Sequence, residues 1–252
     1  MSYLESMNKN MTLEAGDDEE QDPTVYLWLN FFIAQHYKFK GDAPNALKFV
    51  DAAIAHTPTL LELYTLKGKI FSMAGDRKAC RDLHEEARQL DTADRAINAI
   101  SAMQMLKAGD YEGGLKTMNM FVSDCGYNVT VHDNQTIWFE LESGNCLFEQ
   151  GRYREALKQW NYVESHLEHM VDDHADYLLY SFRRFTLQAF EELVVMMDDR
   201  LFQNRYVVKN AINYLRLMHK VSKCADKERE KHAEAMAIYK LSPEYETLMK
   251  DM

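Results

Sequence analysis

With 252 residues, 46% hydrophobic and 27% charged, the chain can bury a sizeable core and has the balance of a soluble protein. Its net charge of −11 excludes a general binder of nucleic acid or of anionic membrane, since either needs basic surface. No apolar run approaches the roughly 20 residues that span a bilayer. No basic-then-apolar leader is visible, and the 4 cysteines form no C-x-x-C pair, which reads as reduced thiols in a cytoplasmic protein.

In chain order, residues 1–21 are polar and end in the acidic run Asp17-Asp18-Glu19-Glu20, so a disordered segment is expected there. Asp22-Pro23 opens the first helix, with Asp as cap and Pro where a missing N–H costs nothing. From there the dipeptide Gly-Asp recurs at Gly41, Gly75 and Gly109, at intervals of 34 residues, which is the tetratricopeptide period. The small and aromatic slots of that motif are filled in register. The first repeat has Ala34, Tyr37, Ala46 and Ala53, the second Gly68, Phe71, Cys80 and Ala87, and the third Ala102, Met105 and Gly114. A fourth copy, displaced by an insertion, has Gly144, Leu147, Gly151 and Ala156. Small residues at these positions let paired helices cross closely.

The pattern predicts helices over about 23–40, 43–56, 60–74, 77–90, 92–107, 111–125, 135–150 and 153–169, with a protruding loop at Gly126–Asn134. Residues 22–170 thus form four repeats. Beyond them, 171–222 keep helical periodicity as non-standard helices, one over 172–197 and another over 206–221, and 223–252 form a charged tail. The fold class is all-α, a right-handed tetratricopeptide-repeat α-solenoid.

In such an array the first helix of each pair builds the concave wall. The residues that face it are Trp28, Phe31, Gln35 and Phe39, then Glu62, Thr65, Lys69 and Met73, then Ala99, Met103 and Leu106, then Trp138, Leu141 and Phe148. Apolar surface of this extent marks a large protein partner, the chain's own next turn of superhelix, or packing against the neighbouring repeat. Arg95, beside Asp91 and Asp94, is read as an anchor to a partner or as an ion pair within its own repeat.

Signs of catalysis are few. No Gly-rich phosphate loop and no G-x-S-x-G elbow occurs. Cys80 and His84 sit at i, i+4 in packing slots and are expected in the core. His166, His169 and His174 with Asp172 and Asp173 form the one cluster of potential metal ligands. It is read as a solvated helix end with histidines near the C-terminal dipole. No metal and no cofactor is expected on this chain.

Particular runs carry a family resemblance: Gln35-His36-Tyr37, Thr57-Pro58-Thr59-Leu60, Leu90-Asp91-Thr92-Ala93-Asp94-Arg95, Met105-Leu106-Lys107-Ala108 and Glu155-Ala156-Leu157-Lys158. Over about 22–219 the chain resembles the large auxiliary subunit of the NatA N-terminal acetyltransferase, and specifically its central portion. The resemblance implies a non-catalytic scaffold that wraps a GNAT-type catalytic subunit near the ribosome, with acetyl-CoA held by that partner. Some members hold an inositol polyphosphate; Ile100, Met103 and Glu112, where basic residues would be sought, argue against one here. The alternative reading is a tetratricopeptide adaptor of another class, such as a co-chaperone or a transport-complex subunit. A third is an enzyme built on the His166–His174 cluster.

Overall fold

A computed structural model describes residues 22–122 and 130–240, with side chains through Lys223. The acidic segment 1–21, the first part of the expected loop at 126–129 and the end of the tail at 241–252 lie outside the described residues. The chain divides into two compact units, 1–136 and 137–252. Among the described residues every regular element is helical. Each unit is all-α and contains tetratricopeptide-type helix pairs.

In the first unit, α1 (Pro23–Phe39) pairs with α2 (Ala43–His56), α3 (Leu61–Met73) with α4 (Arg77–Leu90), and α5 (Arg95–Lys107) with α6 (Tyr111–Asn119). The recurring Gly-Asp performs two tasks in each link. Gly41, Gly75 and Gly109 sit at φ +79°, +90° and +88°, a region where a Cβ would clash with backbone. In that conformation Gly41 donates to the Lys38 carbonyl at 3.0 Å and Asp42 to that of Tyr37 at 2.9 Å, closing the end of α1. The same aspartate then caps the next helix: Asp42, Asp76 and Asp110 accept from the backbone N–H of Asn45, Ala79 and Gly113 at 3.2, 2.9 and 2.9 Å. One dipeptide therefore ends one helix and starts the next, which explains why the pair recurs as a pair.

The core of this unit contains Ile33, Ala34, Val50, Ala53, Leu63 and Ile70, all fully buried. Tyr37 stacks on Phe49 with ring centroids 5.8 Å apart. The small residues of the motif are where the helices meet. At Gly68 and Gly144 a Cβ would run into His84 and Trp160 respectively.

Two expected helix limits shift. The helix predicted from Thr92 begins at Arg95, because the Asp94 carboxylate accepts from Ala96 and Ile97 N–H at 2.7 and 3.3 Å and makes Asp94 the cap. Asp91 is likewise committed, accepting from Ala93 N–H at 3.0 Å. The helix predicted to reach Cys125 ends at Asn119. Val131–Asn134, expected as loop, is a short 3-10 turn.

The second unit pairs α7 (Ile137–Glu149) with α8 (Tyr153–Asp172), linked by Gly151 at φ +80°. Then follow α9 (His174–Phe182), α10 (Leu187–Val195), a π turn at Met196–Arg200, a 3-10 turn at Leu201–Gln203 and α11 (Arg205–Lys240). The single helix predicted over 172–197 is broken at Arg183–Phe185. Thr186 Oγ1 accepts from Ala189 N–H at 3.3 Å and so starts a new helix where the periodicity had run through. The helix predicted over 206–221 is longer than expected and takes in most of the charged tail. It is tied to α7 and α8 by polar side chains: Asn210 donates to the Trp160 carbonyl at 3.2 Å and Asn213 to Asn145 at 2.9 Å. Tyr214 donates to Asn161; burial, and then the Glu164 carboxylate, push its hydroxyl up to about 12.

Candidate partner-binding wall

On α1, Phe31, Gln35 and Lys38–Phe39 recur at helical spacing and share one face; on α3, Glu62, Thr65–Leu66 and Lys69 do the same. These two faces line an open recess of about 460 Å³. Six of the wall residues expected from sequence meet there: Phe31, Gln35, Phe39, Glu62, Thr65 and Lys69. Phe39 is 90% exposed, an unusual state for phenylalanine and the strongest apolar feature of this face. Trp28, 49% exposed, stands edge-on to Phe31 with ring centroids 5.7 Å apart and extends the aromatic surface along α1.

A second recess of about 350 Å³ adjoins the first and shares Lys38 and Lys69 with it. Met73, also expected on the wall, lines this one, together with Ser72, Cys80, His84 and Gln104. Met103 does not; it is half-buried, and its neighbour Gln104 takes the position on α5, while Ala99 lines neither recess and Leu106 is core, at 2% exposure. Cys80 and His84 are buried, as expected of packing slots. The His84 Nδ1–H donates to the Cys80 carbonyl at 2.8 Å. Burial pulls the imidazole below its ordinary range and pushes the Cys80 thiol up, so both favour the neutral form. Lys38, Leu66, Ser72 and Gln104 line the recesses without having been expected from the sequence. Lys38 lies seven residues from Phe31, two helical turns, and that spacing was the available signal.

Arg95 is exposed and makes neither expected ion pair with Asp91 or Asp94, whose carboxylates are engaged in capping. Its guanidinium lies over the Phe121 ring, 5.6 Å from the centroid.

In the second unit the expected wall residues divide. Trp138 is half-buried and edge-on to Phe139. Leu141, at 3% exposure, is core. Phe148 packs between Tyr153 and Trp160, at 5.4 and 5.9 Å between ring centroids. Trp160, fully buried against Gly144, holds the Phe148 ring and donates from Nε1 to the Leu141 carbonyl at 3.5 Å.

The family model of the N-terminal acetyltransferase A auxiliary subunit matches residues 1–249. The chain belongs to this family.

Among the relatives, the N-terminal acetyltransferase A complex auxiliary subunit NAA15 of Arabidopsis thaliana is 38% identical over 201 residues, covering 80% of this chain and 22% of that protein. The human N-alpha-acetyltransferase 16, NatA auxiliary subunit, is 33% identical over 228 residues, covering 88% of this chain and 26% of its own length. A solved structure of Naa15/Naa10 bound to HypK-THB superposes with a TM-score of 0.73 at 25% identity, covering 86% of this chain and 32% of the matched one. The chain therefore spans about a quarter of the curated relatives it matches.

The histidine cluster near the end of α8 divides: His169, Asp172 and Asp173 are exposed at the helix end as expected, whereas His166 is not. His166 is buried, and its Nε2 lies 2.6 Å from the Glu140 carboxylate on α7. His174 faces Asp198 instead, at 3.4 Å. Among the described residues no group of three or more potential ligands could hold a metal ion, and no helix is long and apolar enough to cross a membrane.

Proposed function

We propose that this chain is a non-catalytic scaffold that binds a GNAT-type catalytic subunit for co-translational N-terminal acetylation of nascent proteins. The observation that carries the reading is the α1/α3 wall. It exposes Phe39 and Trp28 beside a recess, on a chain whose family consists of auxiliary subunits. Large aromatic side chains left in water at a recess are what a protein partner covers with most gain in free energy. The solved relative in which Naa15 occurs with Naa10 supports the same assignment. Acetyl-CoA then belongs to the catalytic subunit and this chain carries no cofactor, and the complex works in the cytoplasm at the ribosome.

Co-expression with a GNAT-type catalytic subunit, followed by gel filtration, tests the reading. The expected outcome is a single co-eluting peak, and Phe39→Ser with Trp28→Ser reduces the co-eluting fraction. Separate elution of the unaltered chains rejects it, as does exclusive capture of chaperone tails or transport proteins.

A further inference from the structure

The two recesses on the α1/α3 wall differ in chemistry, and the difference specifies what they take. The first is walled by Phe31, Phe39 and Leu66 and carries the carboxylate of Glu62. The second has no carboxylate in its lining and presents the side chains of Ser72 and Gln104. Lys38 and Lys69 stand at the boundary and belong to both. Neither ammonium makes an ion pair among the described residues. Lys67, one position behind the wall, is by contrast bound to Asp51 at 2.8 Å. In a chain of net charge −11, two uncompensated cations on a shared rim are a local inversion of the overall field.

We propose that this wall seats a segment of a protein partner in which an acidic side chain neighbours a large apolar one. The apolar side chain fills the recess of Phe31, Phe39 and Leu66, and the carboxylate lies between Lys38 and Lys69 on the Gln104 side. Glu62 fixes this orientation, because a second carboxylate in the first recess would be repelled. The size of the positive charge limits the ligand as well. Burial keeps His84 neutral, so the rim offers two positive charges, a match for one carboxylate and a poor one for a clustered polyphosphate. This deepens the scaffold reading and rests on it, since the segment would belong to the catalytic subunit.

The test uses the full chain and two fluorescein-labelled, end-blocked peptides, one alternating glutamate with leucine and one alternating lysine with leucine, read by fluorescence anisotropy. The glutamate peptide is expected to bind and the lysine peptide to bind about tenfold more weakly or not at all. The double variant Lys38→Glu, Lys69→Glu is expected to reverse that preference while keeping the helical circular dichroism of the parent. Equal binding of the two peptides overturns the proposal, and so does a double variant that still prefers glutamate. A chain lacking residues 1–21 that binds the glutamate peptide about tenfold tighter would assign the rim to the chain's own Asp17–Glu20 run, and also overturns it. The gel-filtration experiment is independent. Co-elution without peptide preference removes this inference alone, whereas peptide preference without co-elution removes the scaffold reading.

Discussion

Gly68 and His84 compete for one volume. A Cβ built on Gly68 would fall 2.5 Å from His84 Nδ1, and the imidazole occupies the space any side chain there would need. The glycine of the second repeat is thus matched to the histidine one helix later, and the pair sets how closely α3 and α4 approach.

Gly68→Ala is therefore expected to destabilise the chain by about 1–3 kcal/mol through overpacking, outweighing the roughly 1 kcal/mol that alanine gains in helix propensity. Urea unfolding should show a lower midpoint at unchanged slope. Gly68→Ala combined with His84→Ala should cost less than the sum of the two single changes, because the cavity left by one accepts the methyl of the other. Strict additivity would mean that the two side chains do not meet.

His84 also gives the stability a pH dependence of known sign. Burial depresses its folded pKa, so the unfolded chain takes up a proton that the folded chain refuses. The stability tied to neutral His84 is present above the unfolded value of about 6.5 and is lost as pH falls from there toward the lower folded value. Cys80 acts in the opposite direction: its thiol is raised by burial, so folding opposes ionisation and stability is lost as pH climbs past about 8.5. Thermal unfolding of the parent and of His84→Gln across the acidic range should converge as pH falls. Parallel curves would show that His84 does not titrate differently on folding.

The repeat frame was legible because it is local. Gly41, Gly75 and Gly109 are required by positive φ, and Asp42, Asp76 and Asp110 by the caps they form, so a fixed interval of short-range chemistry identified the paired helices. Six wall residues on α1 and α3 followed from helical spacing on that frame. What the frame could not reveal depends on partners distant in sequence. Leu141 and Phe148 have wall spacing, yet Leu141 is core and the half-buried Phe148 packs on Trp160, beyond the turn. His166 has the pattern of a ligand cluster until Glu140, 26 residues earlier, is brought against it. Arg95 has acidic neighbours in sequence, but those carboxylates cap backbone and leave it to Phe121. The break at Arg183–Phe185 was hidden because apolar periodicity runs through it, and only the Thr186 cap marks it.

The double role of Gly-Asp predicts separable costs in one turn. Asp76→Ala removes the acceptor for Ala79 N–H and should cost about 1 kcal/mol. Gly75→Ala forces a Cβ into the left-handed region and should cost about 1–2 kcal/mol, although nothing lies within 4 Å of that Cβ. Gly75→Asn, which tolerates the same φ, should recover part of that loss. Equal unfolding midpoints for the alanine and asparagine variants would show that backbone strain is not the cause.

The buried Glu140–His166 contact predicts an asymmetry between breaking the pair and replacing it. Glu140 is 1% exposed, and its carboxylate meets His166 Nε2 at 2.6 Å, linking α7 to α8 beneath the surface. Glu140→Ala leaves a buried imidazole nitrogen without this partner and opens a cavity, an expected loss of about 1–3 kcal/mol. Glu140→Leu together with His166→Phe removes both polar groups while filling the space, and should cost less than the single change, since desolvation of the pair offsets much of its attraction. Urea midpoints rank the two variants. Hydrogen exchange adds the location: Glu140→Ala should speed exchange at α7 and α8 amides while leaving α1 to α4 protected, because the two helices belong to the second unit. A double variant less stable than Glu140→Ala would mean that the carboxylate and imidazole attract each other by more than burying them costs.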